Sequence, residues 1–431
     1  MLAGSPVLEP LAAQSPAVLP PHDRMPSEIL ALLARPDSGL PANTQFAVKP
    51  YGPRLSLDYI AQPYLAVGAD RFGTFVGGGA SLYWSDMLGN RNLVTVLQVN
   101  GGFKDVSALV AYLNSSHRWN WGVAAQQVPY YSGAYGASID TNGVYIERVQ
   151  LLRQINRQLA VMTAYPFNPV QRVELSAGVN NISFDQQLET RYTALSTGQL
   201  LFDTTESLQH PAAINLATTS GALVFDNSFF GATSPILGQR YRLEADPTVG
   251  TINWVGVLGD FRKYVMPVRP FTLAARVLHY GRYGSGAEDP RLAPLFLGYP
   301  SLVRGYDYGS FSAAECPINS NTCPAFDRLL GSRLFVGNLE LRFPLLGLLG
   351  VGSGYYGAFP IEAALFADGG VAYCSANNTG FCIGDNRAVS SAGLALRVNL
   401  LGYAIGEMDL VKPFQRPNKG WYLQFSLTPG F

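Results

Sequence analysis

The sequence predicts an all-β fold, a transmembrane antiparallel β-barrel of about sixteen strands. Three observations carry this reading. Charged side chains make up 14% of the 431 residues, while aromatics reach 12% and glycines number 45; an average soluble domain holds roughly 25% charge. No stretch of about 18 apolar residues is present to serve as a membrane helix. The longest apolar runs are short and carry glycines, as in Phe343–Val351. From about Pro53 onward, segments of roughly ten residues alternate apolar with polar or small residues and break at Gly, Asn, Asp or Pro. Such a chain enters a bilayer as a closed barrel, because every backbone polar group must be paired inside lipid.

Side-chain parity shows which face meets lipid. In the last strand Trp421, Leu423, Phe425, Leu427 and Phe431 share one face, and Tyr422, Gln424, Ser426 and Thr428 the other. Ser391–Leu400 places Leu394, Leu396, Val398 and Leu400 outward, with Arg397 and Asn399 inward. Arg333–Phe343 sets Phe335, Leu339, Leu341 and Phe343 against Asn338, Glu340 and Arg342. Phe271, Leu273, Ala275 and Val277 oppose Arg276 and Arg282, and Val173 and Leu175 alternate with Arg172 and Glu174. The charges therefore fall on the lumen face; a charge on the lipid face at mid-membrane costs about 2–4 kcal/mol. A soluble β-sandwich also alternates, but its polar face would carry more lysine.

Candidate strands begin near Arg54, Thr74, Asn92, Asp105, Trp119, Tyr145, Arg157, Gln171, Tyr192, Ala213, Arg240, Thr251, Phe271, Gly331, Ile361, Ser391, Tyr403 and Gly420. That tally slightly exceeds sixteen, and single-chain barrels favour even numbers, so sixteen or eighteen fits. Residues 51–431 form one barrel domain. Residues 1–50 form a Pro-rich leader, with a short helix expected over Met25–Arg35 and Ser27 as its N-cap. Met1–Pro21 lacks a basic start and a continuous apolar core, so it does not read as a secretory signal, and an exported barrel implies an upstream segment.

The 30 basic and 30 acidic side chains balance, which argues against an electrostatic nucleic-acid partner. The cysteines form two close pairs, Cys316 with Cys323 and Cys374 with Cys382. Local disulfides suit an oxidising compartment, although three connectivities exist for four cysteines. Neither pair has zinc-knuckle spacing, and His117, His210 and His279 have no nucleophile or metal partner in the sequence. No hydrolase elbow, P-loop or dinucleotide fingerprint sits in a strand–turn–helix context. No enzyme activity, cofactor or metal is expected.

Leu295–Ser310 (LFLGYPSLVRGYDYGS) breaks the strand rhythm with three glycines, three tyrosines and one arginine. A long loop in a compact barrel is commonly functional. Its Val303-Arg304-Gly305-Tyr306 resembles the VRGY/F loop motif of the outer-membrane assembly-factor superfamily, the bacterial surface antigen barrel. That superfamily includes BamA- and TamA-type insertases and two-partner secretion transporters. Asn338–Leu345 resembles its strand after the motif loop. Leu365–Tyr373 (LFADGGVAY) resembles its F-x-D-x-G-x-x-W/Y strand, with Asp368 at the acidic position. Ser391–Arg397 resembles its S-x-G-x-x-x-R element, and Phe431 its terminal aromatic. The resemblance covers about residues 53–431.

The resemblance implies a sixteen-stranded barrel of the bacterial outer membrane, with both termini periplasmic and the motif loop folded into the lumen. It implies that Arg304 pairs with Asp368 on the barrel wall. It also implies protein insertion, assembly or translocation, with unfolded outer-membrane or secreted proteins as clients and the lipid bilayer as surroundings. The mechanism expected is templating of a client strand at the seam between a strand near Arg54–Gln62 and Gly420–Phe431. The alternatives are a passive pore or transporter, and an anchor for a periplasmic propeller. No stretch resembles a POTRA domain, and the leader is compatible with the tail of a TolB-like propeller.

Overall fold

The computed structural model describes residues 51–429 except 62, 71–72, 101–104, 142, 313, 317–322 and 376–383. The leader, its expected helix, Cys382 and Phe431 lie outside the described residues. Residues 53–431 form one unit.

Its strands hairpin onto one another in chain order, each antiparallel to the next. The wall strands are β1 (Ser56–Ile60, continued by Tyr64–Asp70), β2 (Gly73–Ser85), β3 (Arg91–Asn100) and β4 (Val106–Asn114). Next come β5 (Asn120–Ile139), β6 (Val144–Asn168), β7 (Gln171–Ala194) and β8 (Leu200–Ser207, continued by Ile214–Asp226). The second half holds β9 (Pro235–Gly250), β10 (Trp254–Val268), β11 (Phe271–Tyr283) and β12 (Arg333–Pro344). It ends with β13 (Ile361–Tyr373), β14 (Val389–Leu400), β15 (Ala404–Pro413) and β16 (Tyr422–Pro429). Both pieces of β1 pair with β2, and both pieces of β8 with β7, so each interrupted strand counts once. Among the described residues the wall therefore has sixteen strands. An even number returns both ends of the wall to one rim, here called the terminal rim; the opposite rim is the loop rim.

The eighteen sequence-derived starts exceed this because Arg157 and Tyr192 begin no strand of their own. They lie inside β6, of 25 residues, and β7, of 24 residues. A tilted strand crosses the hydrocarbon layer with about 9–11 residues. The upper parts of β5 to β8 thus rise past the apolar band at the loop rim. Out there an outward charge meets water, so the expectation that charges keep to the lumen face fails for Arg153, Asp185 and Arg157. Arg153 shares parity with the exposed, outward Leu159 and Val161, and it is ion-paired to Asp105 and Asp185 at 3.0 and 2.7 Å.

Elsewhere parity holds. Leu423, Phe425 and Leu427 are exposed while Gln424 between them is buried, and Trp421 just before the strand is exposed too. Leu339 and Leu365 are exposed, whereas Glu340, Glu362 and Asp368 are buried. The expected ring is not closed by a backbone ladder. Among the described residues β1 pairs with β2 alone, and β16 with β15 alone. The local chemistry accounts for weak edges. Pro63 interrupts β1 without an N–H to donate, and β16 has only 8 residues and ends on Pro429.

Candidate functional site

The connection from β11 to β12, residues 284–332, departs from the loop rim and packs against the inner wall. It carries a short antiparallel pair, Leu295–Phe296 with Leu330–Gly331, a 3-10 turn at Tyr308–Ser310 and a one-turn helix at Pro324–Asp327. Cys316 and Cys323 are bonded to each other within it. Cys374, at the end of β13, is disulfide-bonded as well.

An apolar seat holds the loop. Leu297, Val303, Tyr306 and Leu329 are fully buried against Leu278, Leu334, Val336, Ala372 and Val389 of the wall. Each such side chain withdrawn from water contributes about 1.5–3 kcal/mol. A uniformly polar lumen does not anticipate this. The signal was present, because Leu334 and Val336 share inward parity with Asn338, Glu340 and Arg342.

Beyond the seat the inner wall turns ionic, and Arg304 enters that zone. Its Nε donates to Asp368 Oδ2 at 2.7 Å and its Nη2 to Asp368 Oδ1 at 2.8 Å. This is a bidentate fork, which fixes direction as well as distance. The Arg304 backbone N–H adds a third bond to Asp368 Oδ2 at 3.2 Å. Side-chain exposure is 5% for Arg304 and 1% for Asp368. The guanidinium lies 3.6 Å from the centre of the Phe366 ring. It also reaches Glu340 at 2.7 Å and Glu407 at 3.3 Å. Arg397 shares both carboxylates, at 2.9 Å each, and reaches Glu362 at 3.3 Å. Arg342 binds Glu340 at 2.6 Å. Buried charges in this zone are thus paired several times over, as burial requires.

Further bonds extend from both sides of the motif. Asn338 donates to Leu302 O and to Asp368 Oδ1, both at 2.8 Å. Arg276, itself held by Asp260, donates to Ser301 O at 2.7 Å. Gly305 has φ +90°, and a Cβ there would stand 2.9 Å from Val411 Cγ2, so both backbone and space call for glycine. Its N–H donates to Gln424 Oε1 on β16 at 2.8 Å. Tyr306 Oη lies 3.0 Å from Ser390 O and 2.8 Å from Gln415 Oε1, and its one proton is donated to one of them at a time.

Arg416, in the β15–β16 turn, was not singled out by the sequence reading. Its side chain is fully buried and clamps the loop a second time. It donates to Gly305 O and Ser310 O at 2.8 Å each, and to Glu315 at 2.7 and 2.9 Å. Those bonds hold the Glu315 carboxyl below its ordinary range. Asp409 on β15 faces Gln424 across the ladder and accepts no hydrogen bond among the described residues. Arg282 donates to Ala293 O of the loop at 2.8 Å.

A sixteen-stranded wall with a loop latched inside it by an arginine–carboxylate fork defines the class: a transmembrane β-barrel with an inserted loop. The family comparison is specific. Residues 106–431 match the Omp85 superfamily domain, so this chain belongs to the Omp85 superfamily. Its members are outer-membrane barrels of protein insertion and translocation. Among solved structures it is similar to BamA from Haemophilus ducreyi lacking POTRA domains 1–3. That match has a TM-score of 0.52 at 15% identity, covering 85% of this chain and 68% of that one. It is also similar to CdiB from Acinetobacter baumannii, with a TM-score of 0.47 at 12% identity, covering 83% of this chain and 57% of that one. At 15% identity the likeness to BamA speaks for the fold alone. No curated protein matches the chain by sequence.

Proposed function

We propose that this barrel inserts or translocates protein clients by offering the backbone edges of β1 and β16 as a template. The observation that carries the reading is the pairing pattern. Among the described residues each of these strands has one partner only. An unpaired edge presents a row of N–H and C=O groups, and an incoming client strand can satisfy them by β-augmentation. No covalent chemistry is invoked.

The latched loop gives the template a fixed side. Gly305 and Arg416 tie the motif to β16 and to the turn that precedes it, so β15 and β16 are braced from within. We assign Arg304 and Asp368 the role of holding that brace. The seam would then open on the less braced β1 side.

The test reconstitutes the barrel in vesicles and follows insertion of an unfolded barrel client, with a conductance trace on the same preparation. Client insertion above protein-free vesicles supports the proposal. Steady large ion flow without client insertion would assign the barrel to solute passage instead.

A further inference from the structure

The outer face of β4 to β9 carries an ordered pair of cross-strand rows. One row is apolar and outward: Val110, Ala125, Leu159, Val179, Ala217 and Val249, each opposite the next. Alanine at two of these six positions hollows the surface, and the trough between the larger side chains has a volume of about 840 Å³. The row two residues nearer the loop rim is polar: Gln127, Arg157, Asn181 and Asn215, again each opposite the next.

Arg157 is the cation in that polar row, and it is exposed. It bonds neutral groups: Gln127 Oε1 at 2.8 Å, Ser183 Oγ at 3.2 Å and Asn181 Oδ1 at 3.3 Å. Among the described residues it has no carboxylate within ion-pair distance. Arg153, four residues nearer the rim on the same face, is neutralised by Asp105 and Asp185. Arg157 lies eleven residues from the end of β6 at the terminal rim, about one tilted membrane span. At that terminal rim Trp119, Tyr165 and Phe167 cluster ring to ring, as an aromatic girdle does. Arg157 therefore stands at headgroup depth in the opposite leaflet, directly above an apolar trough.

We infer that this trough and Arg157 form a binding site for an anionic, phosphate-bearing lipid of the loop-rim leaflet. Acyl chains lie along Leu159, Val179 and Val249, and the phosphate meets the Arg157 guanidinium and the side-chain amides of Gln127 and Asn181. Two things select this occupant. The trough is continuous with the lipid-facing band, and its rim supplies a positive charge with no acidic partner.

The test uses the whole chain in phosphatidylcholine nanodiscs containing bis-phosphorylated lipid A, with bound lipid counted by native mass spectrometry. Wild-type protein retains lipid A after exchange into lipid-free detergent. Arg157→Gln retains it roughly tenfold less or worse, the loss expected for one charge-assisted contact. Ala217→Trp fills the trough, leaves Arg157 in place and lowers retention as well, which keeps the test decisive should Arg157→Gln fail to fold. Heat-modifiable gel mobility reports folding of each variant. Equal retention by folded wild type and either variant overturns the site. So does wild type that keeps no more lipid A than phosphatidylcholine, or binding of inorganic phosphate alone with nothing added by the acyl chains.

Discussion

Two regions of the wall use charge differently. In β11 to β16 the inward charges converge on one point. Arg304, Arg342 and Arg397 share Glu340, Glu362, Asp368 and Glu407, and the loop occupies the space between them. In β6 to β9 the charges pair locally. Arg172 meets Glu174 two residues away, and Arg242 meets Glu244 and Glu174. The side-chain exposure of Arg172 is 47%, against 5% for Arg304. Burial is what turns an ion pair from an incidental surface contact into a positional constraint. The β11 to β16 region is therefore organised around its loop, and the first half of the wall ends in a freer edge.

The largest test of this contrast is truncation of the fork. Arg304→Ala leaves the buried Asp368 carboxylate without its cation, at a cost of about 3–5 kcal/mol to loop docking, and Asp368→Ala breaks the same fork while Arg304 keeps Glu340 and Glu407. Client insertion falls alike in both, and the double mutant is no worse than either single one. Fully additive losses would separate the two residues. The matched change in the other region, Arg172→Ala, shifts stability by less than about 1 kcal/mol. A loss there comparable to Arg304→Ala would erase the contrast. Gly305→Ala comes next, because its φ of +90° costs an L-residue about 1–2 kcal/mol and its Cβ meets Val411. Protease protection of the loop reads that undocking. Gln424→Ala removes one hydrogen bond to the motif, worth about 0.5–1.5 kcal/mol, and loosens the loop relative to β16 while the Arg304 fork persists.

The smallest effect is that of pH on Glu315. Its carboxyl is depressed by Arg416, so the clamp contributes fully above the ordinary carboxylate value of 4.5 and weakens as pH falls below it. Hydrogen exchange at Ser310–Ser312 should be flat from pH 8 to about 5, after correction for intrinsic rate. It should rise below that range.

What could be read from the sequence depended on where each residue sits. Wall strands were legible because lipid and lumen impose opposite demands on alternate residues, as Leu423 and Gln424 show. Strand number was overcounted where β6 and β7 outrun the membrane, since a span-length template splits a 25-residue strand in two. Asp368, Glu340 and Glu407 lie in regular strands, so parity alone turns them inward. Arg416 lies in an irregular turn, where parity has no meaning, and its burial arises from tertiary packing alone. The apolar seat at Leu334 and Val336 was hidden by the assumption that a lumen is wet throughout.

The seam carries the central claim, and locking it is the most direct measurement. Paired cysteines scanned across Ser56–Ile60 and Tyr422–Ser426 would join β1 to β16 under oxidation, with wild type carried through the same oxidation and reduction. The account predicts that a cross-linked barrel loses client insertion and regains it on reduction, while the folded fraction is unchanged. A fully cross-linked barrel that inserts clients at the wild-type rate would contradict it.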